Sequence, residues 1–223
     1  MSYQLNFAPV INNFDQLING AMITVQLTVG AIVIGTLIAV PCALAKTAGP
    51  RPLAWLANIY VEVIRNTPFL VQIFFIFFAL PGLGIRFSPN TAALVALSIN
   101  VGAYATEIIR AGIESISRGQ VEAGRALGLK GHQIFRYIVL KPAIRTIYPA
   151  LTSQFIYLML TSSVVSAISA TDLAAAGNNI QSVTFAAFEV YLVITAMYLI
   201  LSLGFSGLFS AIARVAFRYP MAR

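Results

Sequence analysis

Whatever chemistry this chain performs must come from a short list of polar side chains, because 59% of its residues are hydrophobic and only 9% are charged. Two Glu/Arg pairs stand three residues apart inside apolar stretches: Glu62 with Arg65, and Glu107 with Arg110. That spacing puts both members of a pair on one helix face, where they can form an ion pair. A charge at the centre of a bilayer costs about 2.5–3.5 kcal/mol on insertion scales, so such groups should face protein or water. We read both as structural pairs near the cytoplasmic interface, with Arg110 snorkelling, in preference to substrate contacts. A second set is uncharged. Gln154, Thr161 and Ser162 lie in a run rich in hydroxyls, while Gln72 and Asn100 lie in other apolar stretches. Small hydroxyl residues commonly serve close helix packing. A path for a zwitterion, in turn, needs donors and acceptors without a deep fixed charge, and these five are the candidates for it.

Enzymatic and metal chemistry find little support. His132 and Cys42 are each the sole residue of their type, which argues against a metal site, a disulfide framework or an intramembrane catalytic constellation. A Gly-x-x-x-x-Gly-Lys-Ser/Thr phosphate loop is missing, so ATP hydrolysis and cofactor binding are not expected of this chain.

The elements that must position these residues are membrane spans. Soluble domains carry about 25% charged residues, and this chain has a mean hydropathy of +0.85. A spanning helix needs about 20 apolar residues. Runs of that kind cover Ala21 to Leu44, Leu53 to Leu80 (interrupted by Glu62, Arg65 and Pro68), Pro89 to Ile109, Ile147 to Ala170 and Val190 to Ala213. Long uncharged runs without strict alternation predict helices rather than a barrel. The expectation is therefore an all-α polytopic membrane protein with five transmembrane helices. Residues 1–19 form an extracytoplasmic segment, 20–212 the membrane domain and 213–223 a cytoplasmic tail. The N-terminus has no basic stretch ahead of its first apolar run, so that run is expected to be retained rather than cleaved.

Orientation follows from the cations. With the N-terminus outside, the inner segments hold Lys46, Arg51, Arg110, Arg118, Arg125, Lys130, Arg136, Lys141, Arg145, Arg214, Arg218 and Arg223. The outer segments hold only Arg86, and Arg65 falls within or near the membrane. This is a strong positive-inside bias. It also accounts for the net charge of +7 without a nucleic-acid partner.

The long inner segment runs from Ala111 to Thr146. Ser117 followed by Gln120 fits a capping box that opens a helix at Arg118, and Gly128 suits the left-handed position that closes it. Such a helix, about ten residues and 15 Å long, is too short to be stable alone and must pack on something. Ala123, Gly124 and Ala126 would let a partner's backbone come close, with Glu122 and Arg125 making charged hydrogen bonds at the rim. Packing under the chain's own bundle is the other reading. A second amphipathic stretch, Gln133 to Leu140, would lead back to Pro142 and the fourth span. Asn66-Thr67-Pro68 should break the second span, because proline removes a backbone hydrogen bond.

Glu122-Ala-Gly124, three residues, Gly128, nine residues, then Ile138 and Leu140, resembles the signature loop of permease subunits of bacterial ABC importers. Glu62-Val-Ile-Arg-Asn-Thr-Pro68-Phe-Leu-Val-Gln72, Ala103-Tyr-Ala-Thr-Glu107-Ile-Ile-Arg110-Ala-Gly112 and Phe188-Glu-Val-Tyr191 are similar to the polar amino-acid permeases of that family. The resemblance implies a coupling helix docked on separate ABC ATPase subunits, with Glu122, Ala123, Gly124, Arg125 and Gly128 at the contact. It also implies a second permease subunit, an extracytoplasmic amino-acid-binding protein and a bacterial inner-membrane location. Departures from the pattern are Gly124 in place of a second Ala, Lys141 ahead of Pro142, and Leu160 and Thr161 where many relatives carry a Lys and an acidic residue. The rival expectation is a self-contained secondary transporter or channel. That would call for internal repeats, and none is evident.

Overall fold

The computed structural model of the chain describes residues 5–217, and every regular element among them is helical. The short α1 (Ala8–Asn12) leads into α2 (Phe14–Ala48), which is followed by α3 (Arg51–Arg65), α4 (Phe69–Leu83), α5 (Pro89–Glu114), α6 (Arg118–Ala126), α7 (Gly131–Ile168), α8 (Leu173–Thr184) and α9 (Ala187–Ala216). Of these, α2, α5, α7 and α9 are each long and apolar enough to cross a membrane. The pair α3–α4 makes a fifth candidate span only if counted as one broken helix, bent by 107°. Residues 1–4 of the expected extracytoplasmic segment, and 218–223 of the tail with Arg218 and Arg223, lie outside the described residues.

The core is built on small residues. Along α2, Gly20, Thr24, Leu27, Thr28, Ala31, Gly35, Ala39 and Ala43 are buried, recurring every three or four positions. They form one stripe of the helix, and the most extensive helix contact in the molecule is between α2 and α5. On α5 the buried positions include Ala92, Ala96, Gly102, Ala103 and Ala105. A Cβ on Gly35 would stand 2.4 Å from Val101 Cγ1 and 3.0 Å from the Ser98 carbonyl. Two backbones approach this closely because lipid-embedded helices gain from van der Waals packing, not from water expulsion. Hydroxyls buried in the contact bond their own helix: Thr28 donates to the Thr24 carbonyl (2.7 Å) and Thr106 to that of Gly102 (2.7 Å).

Several boundaries differ from expectation. The fourth span starts at Gly131, so Gln133 to Leu140 is its first stretch and not a separate amphipathic segment. A π turn at Phe135–Val139 lies just before Pro142, and another at Phe75–Ala79 just before Pro81. Each lets the helix continue past a residue that cannot donate to the ladder. The 12-residue helix α8, between α7 and α9, has no counterpart among the expected elements. Asp172 caps it by accepting from Ala175 N–H at 3.0 Å. A side chain on Gly177 would run into Ile194 of α9, and one on Gly20 would meet the α8 backbone at Leu173.

Candidate functional site

Three groups of polar residues stand out, and the helix α6 is the first. It spans nine residues. The Ser117 hydroxyl makes no cap bond there, which corrects the capping-box expectation; Gln120 N–H donates to the Ser117 carbonyl instead, at 3.1 Å. The far end closes as predicted. Gly128 sits at φ +75°, its N–H bonds the Arg125 carbonyl (2.9 Å), and Leu129 N–H bonds that of Gly124 (3.1 Å). That double bond pattern is the Schellman closure. The helix has two unlike faces. Gly124 is its one buried residue, and a Cβ there would lie 2.5 Å from Ile138 Cδ1. Glu122, Ala123, Arg125 and Ala126 are exposed, with Leu127 at 80%. The expectation that Gly124 opens the surface to a partner is thus corrected: the absent side chain makes room for Ile134 and Ile138 of the same chain.

The second group surrounds Glu107. Arg110 donates to Glu107 Oε2 through Nε (3.0 Å) and Nη2 (2.8 Å), so the expected pair forms. It also reaches Glu114 at 2.6 Å, and Lys46 from the end of α2 pairs with Glu107 Oε1. The network ties the C-terminal ends of α2 and α5 together, immediately before the chain enters α6. The sequence showed the Glu107–Arg110 spacing, and an i,i+4 Arg110–Glu114 pair was equally legible there. Lys46 is 61 positions from Glu107, and no local signal links them.

The third group lies at the α3–α4 bend. Glu62 and Arg65 do not pair, contrary to expectation. Glu62 Oε2 instead accepts from Asn66 Nδ2 (2.9 Å), and the Arg65 guanidinium lies 5.4 Å from the centre of the Tyr104 ring. The break releases carbonyls at the end of α3, and the Gln72 amide fills them. Its Nε2 donates to the Ile64 carbonyl (2.7 Å) and the Thr67 carbonyl (3.0 Å), while Oε1 accepts from Asn100 Nδ2 (3.0 Å). Gln72 and Asn100 are therefore together, beside a cleft of about 460 Å³ lined by Val63, Thr67, Val71 and Ile99 among others. Gln154, Thr161 and Ser162 are on α7, and among the described residues no hydrogen bond joins them to Gln72 or Asn100. Ser162 is fully buried with its hydroxyl on the Met159 carbonyl (2.7 Å).

A buried acid outside the spans went unnoticed in the sequence. Asp172 is 0% exposed. Tyr198 of α9 donates to its Oδ2 at 3.3 Å, and burial pushes its carboxyl up to about 6, against the pull of backbone N–H groups at the start of α8. The Thr24 hydroxyl accepts from Leu173 N–H at 3.0 Å beside it. Asp followed by Leu-Ala-Ala-Ala was the available helix-start signal.

Apolar spanning helices, a short polar helix presented between two of them and charges gathered at one end define a polytopic transport-type membrane protein. The sequence pattern of the family described as "Binding-protein-dependent transport system inner membrane component" matches residues 31–216, and the chain belongs to that family. It is similar to the probable glutamine ABC transporter permease protein GlnM of Bacillus subtilis, with 35% identity over 91% of this chain and 94% of the relative. To the glutamine transport system permease protein GlnP of Escherichia coli K12 it is 37% identical, over 95% and 97%. Among solved structures, a chain of an amino acid ABC transporter crystallised with histidines superposes with a TM-score of 0.88 at 39% identity, covering 95% of this chain and 99% of that one. A chain of the MetNI methionine ABC transporter shares the fold at 22% identity, with a TM-score of 0.75 and coverage of 91% and 97%. The protein is a permease subunit and not itself a catalyst.

Proposed function

We propose that this chain is the permease subunit of an ATP-binding-cassette importer for polar amino acids in the cytoplasmic membrane of a bacterium. Its N-terminus is outside and its C-terminus inside, and residues 20–212 form the transport domain between the extracytoplasmic segment 1–19 and the cytoplasmic tail 213–223. It works beside a second permease subunit, receives substrate from an extracytoplasmic binding protein, and holds no cofactor of its own. ATP is bound by separate subunits docked on α6. Closure of those subunits around ATP favours one permease conformation by differential affinity, and α6 transmits the bias to α5 and α7.

The observation that carries this reading is the exposed Glu122, Ala123, Arg125 and Leu127 face of α6. It belongs to a helix seated on its own chain through Gly124 and joined directly to two spans. The Lys/Arg distribution puts that face on the inner side. The test is an Ala123→Cys variant in a Cys42→Ala background, expressed with its ATPase subunit. A short bifunctional thiol reagent should join the two subunits, and uptake of L-glutamine, L-arginine or L-cystine should stop on ATP depletion. Crosslinks confined to the permease's own helices, with uptake surviving depletion, would instead indicate a self-contained transporter.

A further inference from the structure

The α3–α4 bend lies at half the depth of the bundle. Tyr60 donates to the Ile99 carbonyl (2.7 Å), Gln72 accepts from Asn100, and Arg65 lies over Tyr104. Residues 99–104 are the middle of the 26-residue helix α5. Glu62 and Arg65 are both exposed at this level. Neither neutralises the other, and among the described residues no carboxylate lies within ion-pair distance of Arg65. Exposed to lipid at that depth, each charge would cost about 2.5–3.5 kcal/mol. A face bearing both is untenable against hydrocarbon, so in the membrane it must border water or another protein subunit.

The signs and spacing add a chemical constraint. A carboxylate and a guanidinium three residues apart have Cβ atoms about 5–6 Å from each other, close enough for one small molecule to touch both. A zwitterionic α-amino acid carries an ammonium and a carboxylate on one carbon. Irregular or broken helices at the bilayer midplane are where transporters place polar substrate groups. We propose that Glu62 and Arg65 line the translocation path at mid-depth, Glu62 receiving the ammonium and Arg65 the carboxylate of the passing amino acid. Tyr104 holds the Arg65 guanidinium by a cation–π contact between passages. This rests on the importer reading above, to which it adds where the substrate is met inside the membrane.

The test uses the assembled importer in proteoliposomes, with Cys42→Ala as background and L-glutamine, L-arginine and L-cystine as probes. Single cysteines at Glu62→Cys and Arg65→Cys should react with a charged, membrane-impermeant methanethiosulfonate at least tenfold faster than Leu203→Cys on the exposed apolar face of α9. Turnover with saturating probe should slow that labelling. Glu62→Gln and Arg65→Gln should each cut initial uptake at least tenfold while subunit stoichiometry and thermal unfolding of the complex stay unchanged. Arg65→Lys should recover part of the uptake. Unreactive cysteines, labelling indifferent to the probe, or neutral variants that transport at the unmodified rate would overturn the assignment. If the unmodified complex turns over ATP but imports none of the three amino acids, the substrate reading fails instead, and the labelling rates still report whether the face is wet.

Discussion

At the scale of single residues, the acids Glu107 and Asp172 behave differently because their surroundings do. Glu107 has two cations, Lys46 and Arg110, arranged around one carboxylate. Removing the shared anion leaves Lys46 unmatched in a confined site and Arg110 with Glu114 alone, and a hydrogen bond to a charged group contributes about 1.5–3 kcal/mol. Glu107→Gln should therefore lower unfolding stability in detergent by about that much, while Lys46→Met with Glu107→Leu, which removes both partners, should cost less. Equal losses for the single and double variants would show that the network is indifferent to charge. Asp172 has no cation; the groups turned toward it are the Tyr198 hydroxyl and backbone N–H groups of Ala174 and Ala175. Its carboxyl is raised to about 6 by burial, so the uncharged form is the one the fold tolerates better. The sign follows: this stabilising contribution is complete below the ordinary carboxylate value of about 4 and is lost as pH rises through about 6. Asp172→Asn keeps an oxygen to cap α8 but cannot ionise. Its unfolding temperature, measured against the parent, should gain on it steadily between those pH values and run parallel on either side.

At the scale of elements, Gln72 shows why a broken helix can persist at membrane depth. The chain loses ladder bonds at Pro68, and the carbonyls just before it have no backbone donor to replace them. A side-chain amide that fills two carbonyls and is itself held by Asn100 restores the balance. Gln72→Leu has a similar volume but offers no donor. It should destabilise the fold by about 0.5–1.5 kcal/mol, the net contribution of a hydrogen bond to partly buried acceptors, while Asn100→Ala should have a smaller effect because the Gln72 donors remain satisfied. Thermal unfolding of both variants decides the matter; identical losses would mean that the carbonyls do not depend on Gln72. The contrast with Glu62 and Arg65 shows how far sequence spacing reaches. Apolar runs revealed the spans and Pro68 the break, because length, hydropathy and the missing proline N–H act locally. Spacing also revealed the Glu107–Arg110 pair. It misled at Glu62 and Arg65, since Asn66 and Tyr104 compete for their charged groups and only the fold brings Tyr104 near. Long-range partners such as Lys46 for Glu107 have no local trace, and α8 was obscured because its 12 residues are too few for a span.

At the scale of the whole molecule, the chain is rigid where its helices touch and unfinished at its surfaces. The α2–α5 contact is closed by small residues, and the charge network pins the C-terminal ends of the two helices, so displacement of α6 would be carried by α5 and α7 together. For that, α6 needs one face fixed to its own chain and another free. The two faces predict opposite outcomes for neighbouring substitutions. Ala123→Trp adds bulk on the exposed side and should leave the unfolding temperature of the isolated permease unchanged while abolishing co-purification with the ATPase. Gly124→Ala meets the flexible tip of Ile138, 2.5 Å from the added Cβ, and Ile134 Cγ1 at 3.3 Å, side chains that can shift, and should be tolerated. Gly124→Phe cannot be, and overpacking of that kind costs about 1–3 kcal/mol. It should lower stability of the permease itself, with ATPase binding lost only as a consequence and partly restored by Ile138→Ala. Were Ala123→Trp to destabilise the isolated chain, or Gly124→Phe to leave it unmoved, the assignment of inner and outer faces would be reversed, and with it the surface through which the motor could act.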